Sequence, residues 1–290
     1  MKMNNATHIV KEFIPPICLK ALHATWGLNS KIFKKQQEPF VGNLASWEEA
    51  RKQSSGYDSE VIVQKVRNAI LKVKAGEAAY ERDSVIFDRI IYSFPVLAGL
   101  LRVALAKRGF LSVMDFGGSL GSSYFQYRGF LKELKKLVWS VVEQPRFVDC
   151  GKAFLEDDEL KFYYTTDECK NHQKPDVILL SGVIQYLSTP HCFIDDILRQ
   201  DFDYIIIDRT SFIRECKIVP KLSPDLLTVQ IVPPSIYDAS YPAWFFDEDK
   251  FLSHFRGRYK MIADFDSFES WKLAHFSAQN RGYIFERVRE

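Results

Sequence analysis

Asp115, Gly117, Gly118, Ser119 and Gly121 close an apolar run, Val113-Met114-Asp115-Phe116, and lead into Ser122-Ser123-Tyr124-Phe125-Gln126. The pattern reads as a strand ending in an acid, a glycine turn and the start of a helix. Glycines permit positive φ and let a ligand approach the backbone, and a helix N-terminus presents unpaired N–H groups. Turns of this kind hold nucleotides. The dinucleotide fingerprint G-x-G-x-x-G fails, because counting from Gly117 its third place is Ser119 and its sixth is Ser122.

The D-x-G-x-G-x-G turn of S-adenosylmethionine (SAM) enzymes fits better, at Asp115, Gly117 and Gly121, with Ser119 in place of the middle glycine. A glycine turn also occurs where nothing binds, so its surroundings decide. One helix-length further on, Leu137-Val138-Trp139-Ser140-Val141-Val142-Glu143 is a second apolar run closed by an acid. A carboxylate at that strand tip, with Gln144 beside it, is placed to accept hydrogen bonds from ribose hydroxyls.

Three more strand ends carry polar groups. Ser181 and Gly182 follow one apolar run, where the methionine part of such a cofactor would pass. Thr165, Thr166 and Asp167 follow another, either to hold an adenine amine or simply to form a turn. Asp208 and Arg209 end a third; a carboxylate next to a guanidinium can bind a polar substrate, deprotonate a hydroxyl, or form only a local ion pair. His191 after Pro190 reads as a surface histidine at a helix start. Tyr237, Tyr241 and Trp244, in the 235–244 segment, can stack on a sugar or ring, or anchor their loop.

The elements that must position these residues come in alternation from residue 109 onward. Strands at 111–116, 137–143, 160–164, 176–181 and 203–208, with helices between them, predict parallel βαβ units in an α/β, doubly wound, Rossmann-like sheet. Residues 259–265 and 283–288 read as a closing antiparallel pair. The chain before residue 109 lacks this pattern and reads as helical. An extended lead-in broken by Pro15-Pro16 passes into a short helix. Ser46 with Glu49 marks a capping box, and residues 61–73 carry an apolar stripe at 62, 63, 66, 69, 70 and 73. Residues 83–92 and 95–107 read as two further helices. The division is therefore 1–108 as a helical N-terminal cap and 109–290 as the nucleotide-binding domain. The cap is either a packing layer or a lid lined by Trp47, Tyr57, Tyr80 and Tyr92.

Composition sets the outer bounds. The 290 residues are 47% hydrophobic and 26% charged, enough for a large buried core. The 39 basic and 37 acidic residues leave a net charge of +2, so no overall field favours nucleic acid or anionic lipid. The basic clusters Lys31-Lys34-Lys35 and Lys132-Lys135-Lys136 read as solvated faces. Five cysteines without a C-x-x-C pair argue against structural zinc and disulfides, and no bound metal is expected. The first ten residues lack a signal-peptide pattern, and 94–106 is too short to span a bilayer. A cytoplasmic protein without stable membrane insertion is expected, the alternative being an amphipathic N-terminal segment on a membrane surface. The oligomeric state is not readable.

Taken as a set, several segments resemble a bacterial family of class I SAM-dependent methyltransferases associated with surface-polysaccharide biosynthesis. The likeness is carried by Asp115-Phe116-Gly117-Gly118 through Gln126, Trp139 to Pro145, Leu180-Ser181-Gly182-Val183-Ile184-Gln185-Tyr186-Leu187, Ile207-Asp208-Arg209-Thr210 and Ser240-Tyr241-Pro242-Ala243-Trp244. It extends upstream to Pro15-Pro16, Trp47-Glu48-Glu49-Ala50 and Gly56-Tyr57-Asp58 and so covers nearly the whole chain. The resemblance implies a seven-stranded sheet with a reversed last strand, SAM as cofactor, its methionine part near Asp115 and the glycine turn, and its ribose on Glu143. The resemblance does not carry over a substrate. With a small-molecule or glycan acceptor, the leading hypothesis is O-methyl transfer from SAM to a hydroxyl of a sugar or glycan precursor, with Asp208 as first and Tyr241 as second candidate for base or anchor. Two alternatives stand beside it: a methyltransferase-fold partner subunit without catalysis, and a nicotinamide oxidoreductase, which the glycine spacing disfavours.

Overall fold

The computed structural model describes residues 39–56, 60–216, 225–233, 236, 239–273 and 276–289. The lead-in with Pro15-Pro16, the basic cluster at Lys31, Lys34 and Lys35, and Tyr57, Ser235 and Tyr237 lie outside them. The described chain runs through β1 (Phe40–Val41), α1 (Trp47–Lys52), α2 (Glu60–Ala75), β2 (Tyr80–Arg82), β3 (Val85–Phe87) and α3 (Phe94–Ala106). It continues with β4 (Phe110–Phe116), α4 (Ser122–Leu131), β5 (Lys136–Val142), α5 (Pro145–Phe154), β6 (Leu160–Tyr163), α6 (Thr166–Gln173) and β7 (Val177–Ser181). A single 3₁₀ turn (Ile184–Tyr186), α7 (Pro190–Arg199), β8 (Tyr204–Cys216), β9 (Leu226–Ile231), β10 (Ser240–Phe245), α8 (Glu248–Ser253), β11 (Tyr259–Lys272) and β12 (Phe276–Arg287) complete it.

The central sheet has seven strands in the order β11-β12-β8-β7-β4-β5-β6. Strands β6, β5, β4, β7 and β8 are parallel to their neighbours, and β12 runs antiparallel to both β8 and β11. This is the doubly wound, Rossmann-like α/β sheet that the alternation predicts, with the seven strands and reversed last strand that the resemblance implies. Its central strands are apolar throughout because both faces are covered: Val177 through Leu180 and Ile205 through Ile207 are all buried. From β4 the chain adds strands outward through β5 and β6, then returns to the other side of β4 with β7. The crevice between the carboxyl ends of β4 and β7 is therefore the switch point where ligands sit in such sheets.

Local sequence accounts for the helices. In α1 the Ser46 hydroxyl accepts from the Glu49 N–H at 3.2 Å, and the Glu49 carboxylate accepts from the Ala45 N–H at 3.0 Å. The expected stripe of α2 is buried at Ile62, Val63, Val66, Ala69, Ile70 and Val73. Helix α3 opens on Pro95 and lays Gly99 on the sheet so closely that a Cβ there would lie 2.9 Å from Ile206 Cδ1.

Three features differ from the sequence reading. Residues 83–92 are not a helix: Tyr80–Arg82 and Val85–Phe87 pair as a hairpin about Asp83 and Ser84, whose φ angles are +53° and +68°. Left-handed residues in both turn positions suit the twist of a hairpin, and asparagine-like side chains such as aspartate tolerate that region. The fifth parallel strand does not stop at Asp208 but runs on to Cys216, because β12 continues to pair with it. The long connection after it is also organised, as β9 joins β1 and β10 in a second small sheet; Pro242 is tolerated because β10 is an edge strand. Among the described residues no helix is long and apolar enough to cross a membrane.

Candidate functional site

The glycine turn lies at the β4 end of the crevice. Gly117 and Gly121 have φ of +71° and +86°, and Ser119 takes +54°, so the serine keeps the left-handed backbone that glycine adopts most readily. Gly121 is the N-cap of α4. The turn is tightly built from within. A Cβ on Gly117 would lie 2.4 Å from Val183 Cγ2, and one on Gly118 would lie 2.5 Å from the Asp115 carboxyl carbon.

Asp115 is 1% exposed and sits beneath this turn, where its carboxylate accepts from the Trp139 indole N–H at 3.0 Å. Burial, only partly offset by that hydrogen bond, pushes the Asp115 carboxyl up to about 7. Glu143 stands at the next strand end, half-buried, and accepts from the Gln144 N–H at 2.6 Å. Its charge adds to the upward shift of Asp115, which places the two acids in one electrostatic neighbourhood. Gln144 is the exposed N-cap of α5.

The other side of the crevice is set by a β-bulge. Thr210 pairs with Arg281 and Ile207 with Tyr283, so Asp208 and Arg209 together face the single residue Gly282. Bulges re-aim side chains beside active sites, and this one is sharp: Arg209 has φ +51°. Gly282 makes it possible, since a Cβ there would lie 2.7 Å from the Ile207 carbonyl and 2.2 Å from Phe265 Cζ.

Asp208 and Arg209 do not form the simple ion pair that adjacency suggests. The Ser267 hydroxyl donates to Asp208 Oδ1 at 2.7 Å and accepts from the Arg209 backbone N–H at 3.2 Å. The Ser181 hydroxyl donates to Asp208 Oδ2 at 3.4 Å and accepts from Arg209 Nε at 3.3 Å. Two hydroxyls thus bridge the pair. Asp208 is 4% exposed, and burial raises its carboxyl above the usual range despite the nearby guanidinium. The Arg209 side chain folds back across Gly182, where a Cβ would lie 2.9 Å from Nη2, and reaches Asp83 Oδ2 at 3.3 Å.

The hairpin meets the N-terminus of α4 through Glu81 and Ser122. Glu81 is 1% exposed and accepts from the Ser122 hydroxyl and the Ser84 N–H, and burial pushes it up to about 7. Tyr80, Tyr127 and Tyr186 are raised mainly by burial and interact electrostatically with Arg209, as does Glu269. Tyr241 lies one layer out: its ring meets Tyr186 edge-on at 5.2 Å, and Tyr186 bonds Gln230 at 2.8 Å.

The predicted residues of the glycine turn, the β5 tip, the β7 end and the bulge are therefore brought to one end of the sheet. Others are engaged elsewhere. Thr165 caps α6 by accepting from the Glu168 N–H, His191 bonds Asp225 and His254, and Trp244 stacks on Trp47 and donates to the Leu187 carbonyl. Among the described residues no group of three or more histidine, cysteine or acidic side chains is placed to hold a metal ion. A surface cavity of about 460 Å³ beside Tyr204 and Arg287 opens at the opposite, amino end of the strands.

Sequence reasoning missed Glu81, Asp83, Tyr127, Ser267 and Glu269. The signal for the first two was the Tyr80–Phe87 stretch, whose Val85-Ile86-Phe87 run after Asp83-Ser84 favours a hairpin over a helix. Ser267 and Glu269 carry no local signal.

No family model and no curated protein matches the chain. Among solved structures it is similar to the N-terminal domain of EvdMO1, crystallised in the presence of SAH and D-fucose, at 11% identity over 78% of this chain and 97% of that one (TM-score 0.46). It is also similar to magnesium protoporphyrin IX methyltransferase from Synechocystis PCC 6803 with bound SAM, at 11% identity over 99% and 100% of the two chains (TM-score 0.40). The N-methyltransferase NodS from Bradyrhizobium japonicum WM9, in complex with S-adenosyl-L-homocysteine (SAH), matches at 12% identity over 68% and 87% (TM-score 0.38). Likenesses this distant assign neither activity nor substrate.

Proposed function

We propose that the chain is a SAM-dependent methyltransferase of the bacterial cytoplasm that methylates a hydroxyl of a sugar or glycan precursor, with residues 1–108 as its cap. The observation that carries this reading is the switch-point crevice itself. It joins the turn at Gly117, Gly118, Ser119 and Gly121, left-handed at Gly117, Ser119 and Gly121, to a half-buried Glu143 on the next strand tip. The donor set fits the cofactor. Glu143 and Gln144 suit ribose hydroxyls, the turn admits backbone contact, and Ser181 with Gly182, crossed by the Arg209 side chain, border the path proposed for the methionine part; Asp115 supports the turn from below.

When bound, SAM supplies a methyl group on a sulfonium, and transfer is an in-line displacement that depends chiefly on alignment. Asp208 accepts the acceptor's proton or anchors its hydroxyl, its raised carboxyl making it a competent base. Arg209 holds polar groups at the same end, and Tyr241 backs Tyr186 along the acceptor side.

Calorimetric titration of SAM and SAH is expected to show saturable binding that Glu143→Ala weakens by about 1–3 kcal/mol, the usual loss when buried polar partners go unpaired. No binding to the wild type would defeat the reading. One observation favours a non-catalytic partner subunit instead: both Asp208 oxygens already hold hydroxyl partners in a 4% exposed position. Consumption of SAM with a panel of sugar nucleotides separates the two.

A further inference from the structure

We infer that Arg209 is the anchor for the α-carboxylate of the cofactor's methionine part, and that Asp83 occupies this position in the free protein as an internal stand-in. This rests on the SAM reading above and adds to it a residue pair and a competition.

The argument begins with the bulge. An extra residue in β8 is held at φ +51°, a backbone that is strained for a side chain, with its N–H donating to Ser267 and its carbonyl accepting from Gln185. Its effect is to fold the guanidinium over Gly182, at the end of β7. Val183, the next residue, is the one packed against Gly117. Arg209 therefore borders the glycine turn along the path a ligand would take from the turn across β7.

The contacts of the guanidinium are incomplete in kind. Its Nε and Nη2 donate to the Ser181 hydroxyl and carbonyl at 3.3 and 3.4 Å. Among the described residues, Asp83 is its sole carboxylate within ion-pair distance, reached through one nitrogen at 3.3 Å. A guanidinium fork matched to a carboxylate makes paired, shorter bonds. Asp208, though adjacent, is turned to Ser267 and Ser181 and does not pair with that fork directly.

Asp83 is suited to give way. Its side chain is 64% exposed at the tip of the hairpin, whereas the hairpin itself is secured two residues earlier by the buried Glu81. The tip carboxylate can leave by rotation of one side chain, without unpairing β2 and β3. A ligand carboxylate entering beside it would meet like charge, so the two cannot share the guanidinium comfortably; the ligand must displace Asp83.

The test compares SAH with 5′-methylthioadenosine, which keeps the nucleoside and sulfur but lacks the amino-acid end. Both are titrated calorimetrically into the full chain, wild type, Asp83→Asn and Arg209→Gln, with thermal melts to verify folding. Asparagine tolerates the left-handed turn position, and glutamine meets the same backbone strain as arginine. Arg209→Gln is expected to weaken SAH by about 10- to 100-fold, the loss typical of a charge-assisted pair, and to leave methylthioadenosine within about 2-fold. Asp83→Asn is expected to tighten SAH by about 3- to 10-fold and again to spare methylthioadenosine. Equal weakening of both ligands by Arg209→Gln would mean a structural role and overturn the assignment. Unchanged SAH affinity would also overturn it, and would leave the guanidinium to a carboxylate of the acceptor. Wild type that binds methylthioadenosine but not SAH overturns this inference alone; wild type that binds neither overturns the SAM reading as well.

Discussion

Asp208→Asn is expected to lower methyl-transfer turnover by about 10²–10⁴-fold, the range for losing a positioned proton acceptor, while SAH affinity stays within about 3-fold. The substitution keeps the shape of the side chain. Its oxygen can still accept from one of Ser267 and Ser181, and its amide can donate to the other hydroxyl, so the bridges to Arg209 are preserved in number. What is lost is the charge and the capacity to take a proton. The measurement is turnover with a sugar nucleotide that the wild type methylates, alongside SAH titration. Undiminished turnover would remove Asp208 from the mechanism; parallel loss of turnover and SAH affinity would make it a support for the cofactor end.

Stability is expected to fall as pH rises from about 4 to about 7, and the double variant Asp115→Asn/Glu81→Gln is expected to lose that slope. Both carboxyls are buried and pushed up to about 7 in the folded protein. Unfolded, they titrate near the ordinary values of about 4. Below both values the two states hold the same protons and the contribution is fully present. Between them the native state binds more protons than the unfolded one, so stability declines with rising pH and the contribution is gone above about 7. Shifts of this size correspond to on the order of 3 kcal/mol for each group. Asp203, Asp225, Glu248 and Glu286 are held below the usual range by cationic and hydrogen-bonding partners, and so act on the acid side of this window. Urea midpoints of wild type and double variant across pH 4–8 isolate the effect. Asparagine at 115 can still accept from Trp139, and glutamine at 81 can still accept from Ser84, so the variants remain packed. Equal slopes in the two proteins would show that neither buried acid governs the window.

The sheet was legible in the sequence because its central strands are covered on both faces and must be apolar throughout, as at Val177 to Leu180. The stripe of α2 was legible for the equivalent reason at helical spacing. That the glycine turn, Glu143, Ser181, Gly182, Asp208 and Arg209 gather at one end of the sheet was legible because topology fixes where strand ends meet. The rest depends on contacts distant in sequence. Glu81 meets Ser122 across 41 residues and Ser267 meets Asp208 across 59, and no local pattern encodes such a meeting. The hairpin takes the place of the helix expected over 83–92, and its first strand buries charge: Glu81 and Arg82 are buried, which local sequence does not show. The second sheet was hidden by Pro242, which reads as a strand breaker unless the strand is known to be an edge.

The bulge in β8 also separates folding from chemistry. Ile207 and Thr210 pair with Tyr283 and Arg281 on either side of it, and the apolar alternation of both flanks is set by those partners. Deleting the single codon for Arg209 would let Asp208 face Gly282 in ordinary antiparallel pairing, with neither flank displaced and one left-handed residue fewer. The extra residue is thus a local insertion in the pairing, tied to the scaffold through its N–H to Ser267 and its carbonyl to Gln185. Such a shortened chain is expected to assemble its sheet while lacking the guanidinium that the bulge lays over Gly182.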